Sequence, residues 1–123
     1  MTGDRRRLVD DFVDLMYRRK DVRRAFDTYV AADYVQHNPG LADGRDAARE
    51  PLVAMFADPG FAPEVVRVLV DGDLCAVHLR IVRDGRPVAA VVDLYRFDGE
   101  HVVEHWDVIQ AWPVTSANDH PMF

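Results

Sequence analysis

The chain has 123 residues and a formal net charge of −6. This length fits one ordinary domain, and we expect a single domain over residues 1–123. With 49% apolar and 29% charged residues, the composition excludes a disordered tail and a fibre. The basic residues are interspersed with acidic ones, so a phosphate backbone would be repelled and no nucleic-acid partner is expected.

The sequence also limits where the protein works. No apolar run approaches the ~18 residues that a membrane span requires, and the Arg5-Arg6-Arg7 start leads into an amphipathic stretch. We therefore expect a cytoplasmic protein with no membrane partner. Cys75 is the only cysteine, which excludes a disulfide framework and a cysteine-rich zinc site.

The first half of the chain carries helical patterns. Asp21 is a suitable N-cap for the second of three predicted helices. Pro39 ends a short extended segment, since the residue before a proline avoids the helical region, and Pro51 is expected to start a turn or a kink within the third helix. The predicted elements are a helix over 5–19, a helix with the apolar stripe Val22, Phe26, Tyr29 and Val30, an extended segment over 34–37, and a helix over 46–57.

The second half changes to the period of strands. Its valine-rich runs cover residues 64–70, 74–83, 87–97 and 101–110. Between them lie Asp71-Gly72, Asp84-Gly85 and Asp98-Gly99. Asp-Gly between such runs favours tight hairpins, because both residues tolerate positive φ. We predict an α+β fold in which a four-stranded antiparallel meander curls around a helical layer, with any pocket between the two.

Ionisable side chains inside the predicted strands are the candidate site, because an isolated charge there is costly. If Asp84-Gly85 is a two-residue loop, His78 lies opposite Val91 and shares a face with Asp93. The first hairpin therefore brings one histidine and one aspartate together.

The second hairpin extends this set. If residues 98–100 form a three-residue loop, Asp93 lies opposite His105 and one pleat from Asp107. A two-residue loop would instead place Asp93 beside Glu104 and Trp106 and break the cluster. Hydrophobicity favours the first register.

That register leaves the other sheet face almost wholly apolar. Helices in a chain this short cover only one face, so we predict that they cover the polar face. We expect a second copy of the chain to bury the apolar face and form a homodimer. The apolar face comprises Cys75, Val77, Leu79, Ile81, Val92, Leu94, Val102, Trp106 and Val108.

Several segments together closely resemble the SnoaL-like, polyketide cyclase-like branch of the nuclear transport factor 2-like superfamily, from about Tyr29 to the C-terminus. They are Tyr34-Val-Gln-His-Asn-Pro39, Asp43-Gly44, Val77-His78, Asp93-Leu-Tyr-Arg96, Val103-Glu-His-Trp-Asp-Val-Ile-Gln110, Thr115-Ser-Ala-Asn118 and Met122-Phe123. The resemblance implies a cystatin-like cone, in which a curved antiparallel sheet wraps around three N-terminal helices and a deep pocket. Such proteins are commonly dimeric through the sheet. Pro51 and Ala111-Trp112 depart from the usual pattern and bear on the shape of the pocket mouth.

Aspartates and histidines in a semi-apolar pocket supply what proton abstraction next to a carbonyl requires, a base and a hydrogen-bond donor for the enolate oxygen. We expect Asp107 to be the base, although the sequence leaves Asp93 open as an alternative. His105 and His78 would be donors or proton shuttles, Asp93 would orient a histidine, and His37 would contact substrate from the pocket mouth.

Further side chains are candidates for substrate contact, with core or interface packing as the alternative; they are Tyr34, Tyr95, Trp106 and Gln110. A metal site on His105 and Asp107, completed by His78 or His37, uses the same residues. Because proton transfer needs no cofactor, we expect neither a metal nor any other cofactor.

The sequence leaves three functions open. The leading hypothesis is a cofactor-independent enzyme that performs acid–base chemistry, as an isomerase, dehydratase or aldol-type cyclase, on a small hydrophobic carbonyl compound. A non-catalytic carrier of a small apolar ligand has the same pocket. A structural dimerisation module would have a filled one, with its buried polar residues forming only a hydrogen-bond network.

Overall fold

The computed structural model describes residues 2–123, which form three helices and a curved five-stranded sheet. The elements are α1 (Thr2–Val13), a π-helical turn that continues it (Asp14–Arg18), α2 (Val22–Tyr29), β1 (Val30–Gln36), α3 (Arg45–Ala57), β2 (Phe61–Asp71), β3 (Leu74–Arg83), β4 (Arg86–Asp98) and β5 (His101–Ala111). This confirms the α+β architecture predicted from the sequence.

The helices form close to the predicted positions. Two local features differ from the prediction: the end of the first helix and the effect of Pro51. The first predicted helix ends its α-helical part at Val13 and finishes as the π-helical turn. Asp21 caps α2, its side chain accepting from the Arg24 backbone N–H. Pro51 lies within α3, which is assigned as one helix from Arg45 to Ala57.

The sheet is mixed rather than wholly antiparallel. Its strand order is β1-β5-β4-β3-β2, and the last four strands in sequence form the predicted antiparallel meander. The difference is β1, which pairs in parallel with β5. This pairing brings the segment after β1 beside the middle of β5, where His37 N–H donates to the His105 carbonyl at 3.0 Å.

Two β-bulges set which side chains face the helices. Between β3 and β4 the loop has two residues as predicted, but Val88 is an extra residue in β4 and shifts the pairing by one. Between β4 and β5 the loop also has two residues rather than three, and Val103 is an extra residue in β5. Each bulge reverses the parity that its hairpin loop alone would give.

The helices pack on the sheet face that carries the polar cluster, as predicted. Phe12 of α1 stacks edge-on against Tyr95 of β4, with ring centroids 4.9 Å apart. Leu79 and Val77 also lie in this core. The prediction that Cys75, Val77, Leu79, Ile81 and Val102 belong to the outer face is therefore wrong. The Val88 bulge turns the row of β3 inward, and Val102 of β5 is buried in the core.

In the part of the chain that the structure describes, no helix is long and apolar enough to cross a membrane.

Candidate active site

A cavity of about 340 Å³ lies between the helices and the inner sheet face. This volume is in the range of small-molecule sites. Most of its wall is apolar: Met16, Phe26, Leu52, Met55, Phe56, Phe61, Pro63, Leu79, Ile81, Ala89, Val91 and Ile109. Its polar part is contributed mainly by Tyr17, Tyr34, Asn38, Asp93, Tyr95, His105 and Asp107. A ligand in the cavity would contact a mostly apolar wall and, at one part of it, a group of carboxyl and hydroxyl groups and one imidazole.

Asp93, His105 and Asp107 converge because β4 and β5 pair with Asp93 opposite Asp107 and Tyr95 opposite His105. The loop register alone would place Asp93 opposite Trp106, and the Val103 bulge restores it to the face of the two β5 residues. The predicted convergence of these three residues is thus observed, with Asp93 opposite Asp107 rather than His105.

His105 is buried and makes hydrogen bonds through both ring nitrogens. Its Nε2 lies 2.9 Å from Asp93 Oδ1 and 4.0 Å from Asp107 Oδ2. Its Nδ1 lies 2.7 Å from Gln36 Oε1. The imidazole therefore links the segment at the end of β1 to the carboxylates of the sheet.

Asp93 is held from the helical side as well. The Tyr17 hydroxyl donates to Asp93 Oδ2 at 2.6 Å and is 2.6 Å from the Tyr95 hydroxyl. Burial, together with the nearby Asp93 carboxylate, raises the pKa of both Tyr17 and Tyr95 well above the usual value. Both phenols therefore stay protonated. Tyr17 lies in the π-helical turn, a local distortion that is frequent at functional sites.

Asp107 differs from Asp93 because one of its oxygens is open. Its Oδ2 accepts from Asn38 Nδ2 at 2.6 Å. Its Oδ1 accepts no hydrogen bond from the described residues, and Asp107 lines the cavity. Asp107 is the carboxylate with capacity left for a ligand.

Tyr34 carries the open donor of the site. Its hydroxyl accepts from Gln36 Nε2 at 2.5 Å, its own O–H hydrogen has no acceptor among the described residues, and Tyr34 lines the cavity. Burial and the nearby carboxylates of Asp93 and Asp107 raise the pKa of Tyr34. The hydroxyl thus remains a donor at neutral pH.

This geometry sits on a fold that other proteins share. A sequence match to the SnoaL-like domain covers residues 9–105. The chain belongs to the SnoaL-like domain family. The comparison with curated proteins gives no match.

Solved structures similar to this SnoaL-like domain have low sequence identity. A nuclear transport factor 2-like protein of unknown function from Mesorhizobium loti is 21% identical, with 88% of this chain and 92% of that chain covered and a TM-score of 0.74. AclR from Streptomyces galilaeus, a proposed hydroxylase, is 22% identical over 89% and 91% of the two chains, with a TM-score of 0.67. A SnoaL-like polyketide cyclase from Agrobacterium tumefaciens is 21% identical over 84% and 88%, with a TM-score of 0.61. At these identities the likeness establishes the fold.

His78 does not reach the cavity of this SnoaL-like domain. It pairs with Val92, on the face opposite to that of Asp93, because the Val88 bulge shifts β4 by one residue. There it contacts the Arg67 guanidinium, and partial burial together with that charge lowers its pKa. The expectation that His78 joins the polar cluster is wrong.

His37 and Trp106 also lie outside the cavity. Trp106 pairs with Leu94 on the outer face, and the His37 ring stacks on the indole with centroids 4.9 Å apart and planes 5° from parallel. His37 Nε2 is 2.7 Å from Glu104 Oε2. Gln110 is exposed and pairs with Ala90. Of the predicted substrate contacts, the cavity contains Tyr34 and Tyr95.

The positions of His78 and His37 also bear on the metal site that the sequence left as an alternative. Asp93, His105 and Asp107 each offer one atom within 4.8 Å of the others, and they are the one such group in the described residues. His78 and His37, which the sequence offered as further ligands, are on the outer face.

Three polar residues of the site were not predicted from the sequence: Tyr17, Gln36 and Asn38. Gln36 and Asn38 lie in the Gln36-His-Asn-Pro39 segment that carries part of the family resemblance, and that segment was the available signal. Tyr17 gave none, because an aromatic residue on an apolar helix stripe indicates core packing. Together the site offers one open carboxylate, one open hydroxyl and a buried imidazole, a set suited to proton transfer.

Proposed function

We propose that this SnoaL-like domain is a cofactor-independent enzyme that moves a proton on a small hydrophobic carbonyl compound, as an isomerase, dehydratase or aldol-type cyclase. The observation that carries the proposal is the open oxygen of Asp107 in a largely apolar cavity that also contains the open Tyr34 hydroxyl. A base and an oxyanion donor are the two groups that enolisation needs.

The chemistry follows from these two groups. The carbonyl oxygen of the substrate accepts a hydrogen bond from the Tyr34 hydroxyl, and Asp107 Oδ1 removes a proton from the adjacent carbon. The C–H electron pair becomes the C=C bond of an enolate, and the carbonyl π pair moves to its oxygen, whose negative charge strengthens the Tyr34 hydrogen bond. Asp107, now protonated, gives the proton to another carbon in an isomerase or to a departing hydroxide in a dehydratase. In a cyclase the enolate carbon bonds to a second carbonyl carbon, and the resulting alkoxide takes the proton.

The apolar wall contributes by excluding water. The Asn38 amide holds the carboxylate through Asp107 Oδ2 and leaves Oδ1 for the substrate. His105 and Asp93 then act as a fixed polar wall, because their hydrogen bonds are already made to each other and to Gln36 and Tyr17.

The saturation of His105 and Asp93 also favours a second function. A pocket whose polar atoms are mostly paired with one another is suited to hold a ligand without reacting with it. The second candidate is therefore a carrier of a small apolar molecule. The two candidates differ in whether Asp107 exchanges a proton with the bound ligand.

Deuterium exchange of 2-tetralone separates them. This bicyclic ketone has acidic C–H bonds next to its carbonyl group, and exchange in D₂O is followed by proton NMR. We expect the wild type to accelerate exchange and Asp107→Asn to reduce the acceleration by about 100-fold or more, the usual contribution of a general base. Asp119→Asn, at an exposed position in the tail, is the matched control and should behave as the wild type. Binding of 2-tetralone without accelerated exchange would identify the carrier.

A further inference from the structure

The side-chain amide of Gln36 has an orientation that the backbone dictates. Its Oε1 lies 2.8 Å from the Asn38 backbone nitrogen. A backbone N–H only donates, so the amide atom that faces it must be the carbonyl oxygen. The amide of Asn38 is fixed in the same way, because its Oδ1 accepts from the Gly40 backbone N–H at 2.7 Å.

The fixed amide determines where His105 carries a proton. The same Gln36 Oε1 lies 2.7 Å from His105 Nδ1, and an oxygen with no hydrogen of its own requires a donor there. We propose that Gln36 is a positioning residue that keeps the His105 hydrogen on Nδ1 and turns Nε2 toward the carboxylates of Asp93 and Asp107.

The consequence lies on the other side of the ring. With Nδ1 occupied by its hydrogen, Nε2 faces Asp93 Oδ1 at 2.9 Å, and one shared proton is required between them. Asp93 Oδ2 is already satisfied by the Tyr17 hydroxyl. The proton between Nε2 and Oδ1 is thus the one in this network whose position the amides leave free.

The amide has a second effect, which rests on the proposed function. Gln36 Nε2 donates to the Tyr34 hydroxyl at 2.5 Å, so Tyr34 keeps its own hydrogen for a ligand. One side chain therefore presents an acceptor to His105 and a donor to Tyr34. Gln36→Glu separates the two effects, because a carboxylate still accepts from Asn38 and His105 but also accepts the Tyr34 hydrogen.

Nitrogen-15 NMR of the free protein tests the assignment, since the ring nitrogen shifts of a histidine distinguish its tautomers. The His105 signals are identified by their loss in His105→Asn. We expect a protonated Nδ1 in the wild type and in Gln36→Glu, and a shift of the hydrogen to Nε2 in Gln36→Met, whose side chain has similar length but no acceptor oxygen.

An unprotonated Nδ1 in the wild type, or an unchanged tautomer in Gln36→Met, would overturn the proposal. The wild-type spectrum decides even if Gln36→Met does not fold. In the 2-tetralone assay both Gln36 variants should lose activity by about tenfold or more, because the groups that meet the ligand are no longer held in place. Because the NMR experiment uses no ligand, a failure of the enzymatic proposal leaves its result intact and distinguishable.

Discussion

Replacing Asp93 distinguishes a hydrogen-bonded network from a loosely packed polar cluster. The carboxylate accepts from Tyr17 at 2.6 Å and lies 2.9 Å from His105 Nε2, with 13% of its side chain exposed. Asp93→Ala leaves His105 Nε2 without a hydrogen-bond partner and leaves the Tyr17 hydroxyl only that of Tyr95. A buried polar group left unpaired costs about 1–3 kcal/mol, so we expect a loss of about 1–3 kcal/mol in the free energy of unfolding from His105, to which the lost Tyr17 hydrogen bond adds.

Asp93→Asn should be much less damaging. With the His105 hydrogen on Nδ1, the new amide can donate to Nε2 while its oxygen accepts from Tyr17, so every partner remains satisfied. We expect a change within about 1 kcal/mol, because one neutral hydrogen bond replaces the shared-proton pair. This difference between the Ala and Asn variants depends both on the orientation of the Gln36 amide and on the contacts of Asp93 with Tyr17 and His105.

Urea unfolding followed by tryptophan fluorescence measures both variants, with an unchanged denaturant slope as the sign that the unfolded state is not altered. Asp33→Ala, at an exposed strand position, is the matched control and should lie within about 0.5 kcal/mol of wild type. An Asp93→Ala cost below about 1 kcal/mol, or equal costs for Ala and Asn, would show that Asp93 does not hold Tyr17 and His105 in a hydrogen-bonded network.

Three further outcomes are expected. Ala89→Trp fills part of the cavity wall and should weaken 2-naphthol binding at least about tenfold by fluorescence titration; unchanged affinity would place the ligand elsewhere. The outer sheet face keeps Leu94, Trp106 and the 65% exposed Val108. Native mass spectrometry should therefore find a dimer for the wild type and a monomer for Val108→Lys. A monomeric wild type would contradict a dimer formed through this face. Arg23 and Arg49 lower the Glu50 pKa from 4.5 to about 2. The contribution of Glu50 to the stability of the fold is therefore fully present above pH 4.5 and is lost as the pH falls toward 2. Carboxyl NMR should find that low midpoint and a higher one in Arg23→Gln, whereas an ordinary midpoint would show that the pair does not form.

The sequence was sufficient to predict most of the helices and strands and most of the polar cluster at the candidate site. Valine-rich runs separated by Asp-Gly pairs defined the meander, because strand period and turn chemistry are both local properties. The inward direction of Asp93, His105 and Asp107 was also predicted, although the reason was incomplete. The loop between β4 and β5 has two residues, and the Val103 bulge supplies the shift that the prediction had assigned to a longer loop.

The bulges explain the errors too. Val88 lies in an ordinary valine-rich run, whose hydrophobic pattern does not mark it as the extra residue that turns His78 outward. The available signal was Pro87 beside it, since proline in a strand is often found at a bulge. The parallel pairing of β1 with β5 was hidden for a different reason, because contacts between segments so distant in sequence leave no local pattern. That pairing is what brings Gln36 and Asn38 to the site.

A crystal structure with 2-naphthol tests the proposed site most directly, because the hydroxyl group of this flat bicyclic compound imitates an enol. We expect the ligand in the cavity, its oxygen accepting from Tyr34, and Asp107 Oδ1 within about 3.2 Å, or one water molecule, of the ring carbon next to that oxygen. A ligand bound with its oxygen away from Tyr34, or an Asp107 carboxylate turned out of the cavity, would contradict it.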